Sequence, residues 1–238
     1  MSGHSKWANI KRKKQANDLI KGNVFAKMSH LITLAVFEGG GMIEPENNVK
    51  LRLAIDKAKA VNMPKENILR AIEKGSGQNK TTLKEIVYEG FGPYGVVLLI
   101  LSTTDNSNRT SSEIKNILEK NSGKLGTPGS VSYLFKKCAF VSFIKTEVNE
   151  EAVFKIGEEL QAFDINEDDS HFFVFFSFGN FGLLKIHLNH IKYDLAEVDY
   201  LPTMPVTLDS TDKEKRVLDI IEALESLDDI QRVYTNLS

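Results

Sequence analysis

Residues 83–120, LKEIVYEGFGPYGVVLLILSTTDNSNRTSSEIKNILEK, decide the fold class. Leu83–Glu89 and Val96–Thr103 are apolar runs rich in Val, Ile, Leu and Thr around a Gly/Pro turn, and they read as two strands. Thr110 and Glu113 form a capping box for a helix that carries Ile114, Ile117 and Leu118, and Gly123 ends it. Val131–Phe135 reads as a further strand. Strand, strand, helix, strand is the beginning of an α/β layer that still lacks a second helix and a closing strand.

A second series follows. It has a strand at Ala139–Ile144, then a helix capped by Asn149 with Val153, Ile156 and Leu160. A Phe-rich strand near Phe172–Phe178, a helix around Leu183–Ile191 and a strand at Leu195–Tyr200 complete it. Beyond Pro202 and Pro205, Thr211 and Glu214 make another capping box. The helix they open turns Val217, Ile220, Ile221 and Leu224 inward, and Ile230–Asn236 is a last strand. That pair supplies what the first series lacks. The expectation is therefore a middle α/β domain of residues 80–136 plus 206–238, with 137–205 inserted as an acidic α/β domain. Both resemble ferredoxin-like, split βαβ folds.

Residues 1–79 read as helices without a strand. Asn9–Ile20 is a polar basic helix stopped at Gly22. Asn23 caps the next, in which Val24, Phe25, Met28, Leu31, Ile32 and Ala35 keep the spacing of one buried face. Gly39-Gly40-Gly41 ends that helix. Asn48 caps a third, with Val49, Leu53 and Ala60 on one side and Leu51, Ile55 and Ala58 beside them. Pro64 suits the first turn of a fourth, carrying Ile68, Leu69 and Ile72, and Gly75-Ser76-Gly77 closes it. The fold class is α+β multidomain, an all-α helical domain followed by two α/β domains.

Composition agrees with a globular chain: 238 residues, 42% hydrophobic and 26% charged, which excludes disordered, collagenous and disulfide-scaffold classes. The net charge of −2 hides a separation. Residues 1–80 carry 15 Lys/Arg against 7 Asp/Glu, residues 81–144 carry 7 against 5, and residues 145–238 carry 8 against 20. The ends differ by charges of +8 and −12. Such asymmetry points to an anionic partner at the basic end. Cys138 stands alone and is expected to pack as a small apolar residue beside Phe140. No run reaches the length of a membrane span, and no apolar core follows the N-terminal charge as a secretory signal needs, so the chain reads as cytoplasmic.

The motifs sort by what surrounds them. Gly90-Phe91-Gly92-Pro93-Tyr94-Gly95 matches GxGxxG, but a strand follows where a dinucleotide site needs a helix N-terminus. A hairpin turn with glycines at positive φ is the better account. His187 and His190 are three apart with no third ligand, and Glu167-Asp168-Asp169 lacks the rest of a calcium loop, so a surface pair and a solvated turn are expected. No nucleophile, base and oxyanion donor assemble, and no enzyme, metal, cofactor or small-molecule substrate is called for. Lys11-Arg12-Lys13-Lys14 places consecutive cations around a helix, with Lys6 before and Lys21 and Lys27 after. That suits a segment enclosed by phosphates, and Trp7 beside His4 either stacks on a base or packs against the protein. A second candidate surface is Thr104–Thr110. There a helix N-terminus, Asn108 and Arg109 offer donors to phosphate, with Lys124 as a further cation for the same site, although Asp105 and Asn108 also suit capping.

GHSKWANIKRKK (3–14), LRLAIDKAKAVNMPKENILRAIEKGSG (51–77), YEGFGP (88–93), TDNSNRT (104–110), GSVSYLF (129–135) and LESLDDIQRVYTN (224–236) resemble the YebC/PmpR family. The chain departs from its pattern at Tyr94, where glycine is usual, and at Ser107, where arginine or a similar residue is usual. Residues 170–200 match in element order only. The resemblance implies a cytosolic three-domain bacterial protein commonly assigned as a DNA-binding transcriptional regulator. It also implies kinship with the mitochondrial translational activator of cytochrome oxidase and with factors linked to ribosomes stalled on proline-rich chains. The expected partners are therefore nucleic acid, DNA or ribosomal RNA, and with the latter the ribosome. The arm's flexible cations and lone aromatic slightly favour irregular RNA, whereas Asn9, Arg12 and Gln15 keep a duplex reading open.

Overall fold

The computed structural model describes residues 24–77, 83–188 and 191–238. They fall into two compact units, one containing the helices and the first sheet, the other Tyr133–Thr207 with Asn236–Ser238. The helix expected at Asn9–Ile20 and the cap at Asn23 lie outside the described residues.

The first unit begins with α1 (Val24–Glu38), α2 (Val49–Ala60) and α3 (Lys65–Ser76). Gly40 and Gly41 end α1 at φ +70° and +87°, and the Gly41 N–H closes on the Val36 carbonyl at 2.9 Å. The core of the three helices is Ile32, Val36, Leu51, Ile55, Ala58, Ile68 and Ala71. On α2 the Leu51–Ile55–Ala58 face is the buried one, while Val49 stays 56% exposed. Phe25, expected inside, is also exposed. Pro64 stands just before α3, where its carbonyl accepts from the Asn67 and Ile68 amides. A Cβ on Gly75 would lie 2.7 Å from the Thr33 carbonyl oxygen, so glycine lets α3 cross close over α1.

Asn48 joins α1 to α2. Its Oδ1 accepts from the Leu51 amide at 3.0 Å, while Nδ2 donates to the carbonyls of Ala35 at 2.9 Å and Met42 at 3.2 Å. Asn48→Ala removes a cap and strands two acceptors, and is expected to cost about 2–3 kcal/mol. Asn48→Asp, which keeps the cap and loses the donated bonds, should fall between the two in urea midpoint.

The first sheet has the order β3-β1-β2-β8 and is antiparallel throughout. Its strands are β1 (Lys84–Phe91), β2 (Val97–Thr104), β3 (Lys124–Leu125) and β8 (Ile230–Thr235). α4 (Ser107–Lys120) and α7 (Thr211–Glu225) bury Ile114, Leu118, Val217, Ile220, Ile221 and Leu224. With β2 counted first, β3 second, β1 third and β8 fourth, the strands stand 2-3-1-4 across the sheet, the third strand having moved to the front of the chain. This is a permuted split βαβ arrangement.

The second unit holds β4 (Phe135–Ile144), α5 (Glu150–Glu159), β5 (Asp164–Glu167), β6 (His171–Ser177), a 3₁₀ turn at Phe178–Leu183, α6 (Leu184–His187) and β7 (Leu195–Pro202). Its order, β5-β6-β4-β7, is the unpermuted 2-3-1-4. One face packs Val141, Phe143, Val174 and Phe176 against Val153, Ile156 and Leu160. The other gathers Cys138, Phe140, Phe173, Phe175 and Leu201, so the cysteine packs as expected. The last three residues also join this unit, where the Val206 amide donates to the Asn236 carbonyl at 2.7 Å.

Several local expectations change. Ser132–Leu134 is a 3₁₀ turn and not part of a strand. The amides of Gly129, Val131 and Ser132 all donate to one buried carboxylate, Glu89, at 2.5–2.9 Å, which no ladder geometry allows. The caps sit earlier than the capping boxes placed them. Asn106 Oδ1 accepts from Arg109 N at 3.1 Å to open α4, and Ser210 Oγ accepts from Asp212 N at 3.2 Å to open α7. The helix expected over 183–191 is the single turn of α6. β3 and β5 are short strands that carry no alternating pattern of their own.

Candidate nucleic-acid interface

Four of the expected contact residues, Lys27, Asn108, Arg109 and Lys124, fall among the described residues. His4, Lys6, Trp7, Lys11, Arg12, Lys13, Lys14 and Lys21 lie outside the described residues. Lys27, on the first turn of α1, donates through Nζ to the Glu225 carbonyl at 2.5 Å. A cation there complements the C-terminal end of α7, so Lys27 ties α1 to the end of α7.

Arg109 is held by its own protein. Its guanidinium lies 2.8 Å from Asp229 Oδ2 and 3.0 Å from Asp105 Oδ1. The same Asp229 oxygen accepts from the hydroxyls of Thr110 at 2.7 Å and Thr104 at 3.0 Å. Burial pushes the Asp229 carboxyl up, but Arg109 and the two hydroxyls together hold it below its ordinary value. The hydrogen bond and charge of Asp229 raise the Arg109 pKa in return. The charge expected for a phosphate is thus already matched by carboxylates. Asn108 is exposed on the first turn of α4, its carbonyl accepting from Ser111 and Ser112.

Lys124 is exposed and sits 5.2 Å from the Phe91 ring centroid. It follows the C-terminal end of α4, whereas Arg109 stands at the N-terminal end. Residues 110–120 of α4, eleven helical residues, separate them, about 16 Å at 1.5 Å per residue. Lys124 therefore does not share a site with Arg109.

Sequence reasoning missed the residues that organise both ends of this sheet. At the Arg109 end, His30 of α1 has a buried Nδ1 with no partner among the described residues. Burial lowers its pKa against the opposing pull of Asp229, so the imidazole is neutral at the junction of helices and sheet. At the other end, Tyr94 occupies the hairpin turn at φ +63° beside Gly95 at +78°. Arg216 and Lys213 of α7 reach it: Arg216 Nη1 is 3.5 Å from the phenol oxygen, and Lys213 Nζ is 5.4 Å from the ring centroid. The only sequence signal was a non-glycine in a glycine-rich turn.

The remaining motifs divide: the His187 side chain is partly exposed, whereas that of Asp168 in the acidic turn is only 6% exposed and is not the solvated residue expected. His187 Nδ1 lies 3.1 Å from Glu159 Oε2, and His190 is outside the described residues. Asp168 accepts from the amides of Ser170 and His171 in a turn. Among the described residues no cluster of His, Cys, Asp and Glu could hold a metal, and no helix is long and apolar enough to cross a membrane.

A helical module joined to two antiparallel sheets, each carrying helices, defines a multidomain α+β protein. The chain belongs to the TACO1/YebC family. Residues 5–78 match the model of the TACO1/YebC protein N-terminal domain, and residues 83–237 that of the TACO1/YebC second and third domain. It is 43% identical over 244 residues to a probable transcriptional regulatory protein of Syntrophomonas wolfei, covering 100% of this chain and 96% of that one. A probable transcriptional regulatory protein of Borrelia duttonii is 44% identical over 239 residues, covering 100% and 97%. A crystal structure of a conserved hypothetical protein from Aquifex aeolicus superposes with a TM-score of 0.80 at 34% identity, over 91% of this chain and 90% of that one.

Proposed function

We propose that the chain is a nucleic-acid-binding regulator of gene expression, a DNA-binding transcriptional regulator, that acts without catalysis in the cytoplasm. The observation that carries this reading is the separation of charge, +8 over residues 1–80 against −12 over 145–238. The basic end attracts phosphate and the acidic end repels it, which orients the molecule on an anionic partner. The names of the relatives, probable transcriptional regulatory proteins, agree with a regulator. His4, Lys6, Trp7, Lys11, Arg12, Lys13, Lys14 and Lys21 form the contact arm in this reading, and Lys124 of the first sheet is a further cation for phosphate.

The domain division 1–79, 80–136 with 206–238, and 137–205 belongs to the same proposal. Supporting it is the pairing of β8 with β2, across a stretch of chain that builds a second sheet. A second reading, a translation factor on ribosomal RNA, draws on the arm's lone aromatic among cations, which suits unpaired bases.

Trp7 is the only tryptophan and reports on its own segment. Its fluorescence is titrated with duplex DNA, structured ribosomal RNA and intact ribosomes over a salt series. Replacing Lys11, Arg12, Lys13 and Lys14 together by alanine should weaken binding about a hundredfold and reduce the salt slope by about three. Affinity indifferent to salt, or to the four changes, would refute the arm's role. Preference for duplex over ribosomes supports transcription, and the reverse preference gives translation.

A further inference from the structure

The end of the first sheet at the β1–β2 turn combines features that stability alone does not explain. Tyr94 adopts φ +63°, ψ +25°, a region disfavoured for a residue with a Cβ, yet its side chain remains 41% exposed. A strained aromatic in a core is repaid by burial, and this one is not buried. Its neighbours supply positive charge from two further elements. Arg216 and Lys213 come from the first turns of α7, and Arg216 Nη2 also reaches Ser122 Oγ at 3.4 Å. Lys124 of β3, exposed, lies over Phe91, the β1 residue that pairs with it. Lys213 additionally holds Asp209 at 2.8 Å, which keeps one carboxylate beside the cluster.

We propose that this end of the sheet is a second nucleic-acid contact, in which Tyr94 stacks on a base of a single-stranded segment while Arg216 and Lys124 take the flanking phosphates. An exposed ring fixed on a tight turn among cations is the arrangement that binds unpaired nucleotides without reading their sequence. Backbone strain held at an exposed side chain is the pattern of a site kept for contact. A duplex, whose bases are already stacked, gains nothing from the ring. This inference rests on the nucleic-acid reading above and adds the strandedness of the target.

The test uses the full chain with fluorescent oligouridylate and oligothymidylate of about twelve nucleotides, and a duplex of the same length. Tyr94→Gly should weaken single-strand binding roughly 5- to 100-fold and leave duplex affinity unchanged. Because glycine relieves the turn, the unfolding midpoint should stay at or above that of the wild type. Tyr94→Phe should bind like the wild type. Arg216→Gln and Lys124→Gln should each reduce the single-strand salt slope by about 0.7. Equal loss with both oligonucleotides means that the ring sees only the base, and a loss confined to RNA adds a 2′-hydroxyl contact at the same site. Wild-type affinity in Tyr94→Gly overturns the inference. Duplex binding without single-strand binding overturns it and leaves the regulator reading standing, whereas no binding to any of the three overturns both.

Discussion

Glu89→Ala is expected to remove about 4–6 kcal/mol from the stability of the first unit, read as a lower urea midpoint for its unfolding. The carboxylate is 7% exposed and accepts from three backbone amides, Gly129 at 2.6 Å, Val131 at 2.5 Å and Ser132 at 2.9 Å. Alanine leaves all three donors without an acceptor. Glu89→Gln retains an oxygen but loses the charge and turns an N–H₂ toward donors, so about half of the loss should remain. Burial raises the carboxyl pKa, and the amides lower it by more, so the folded value lies below the ordinary one. A depressed carboxyl stabilises the fold above its unfolded pKa, and the contribution fades as pH falls through the folded value. The midpoint difference between wild type and Glu89→Gln should therefore be full at pH 7 and shrink near pH 3. Equal differences at both would show that charge is not what the amides bind.

The same carboxylate explains where reading by sequence stops. Ile32, Leu51 and Ile68 announce their faces by spacing, and Gly40 and Gly41 announce the end of α1, because these effects act within a turn or two of chain. β8 was legible because a strand and a helix were missing from one series and surplus at the end of the chain. Glu89 carries no such mark. Its partners are amides some 40 residues away, and an amide has no residue type. The strand expected at Val131–Phe135 failed for that reason, its apolar composition being overruled by a distant acid. Asn106 displaced Thr110 as a cap because Thr110 is drawn into the Asp229 cluster, again through residues far apart in sequence. Of the candidate interface, charge asymmetry was legible, since it is a sum. Which cations are already matched was not, since Arg109 depends on Asp229 and Lys27 on a carbonyl of α7.

Asp229→Ala should cost about 3–5 kcal/mol, because it unfastens β8 from both β2 and α4 at once. The Asp229 side chain is 6% exposed, and a single oxygen takes Arg109, Thr104 and Thr110. The two threonine hydroxyls stand 2.8 Å apart in the buried interior and would lose their common acceptor. Its backbone carbonyl accepts from the Thr103 amide at 2.8 Å, which fixes the turn whatever the side chain. Arg109→Gln is the informative comparison. The guanidinium is 47% exposed and is partnered by Asp105 as well, so its removal leaves the threonine bonds intact and should cost only about 1 kcal/mol. Acid should erase the Asp229 contribution in the same sense as that of Glu89, since its folded pKa is depressed too. The pair of variants also separates two uses of Arg109. If its charge is spent on Asp229, Arg109→Gln leaves the salt dependence of nucleic-acid binding unchanged, while Asp229→Asn, by releasing the cation, steepens it. A shallower slope in Arg109→Gln would instead return Arg109 to the phosphate contacts.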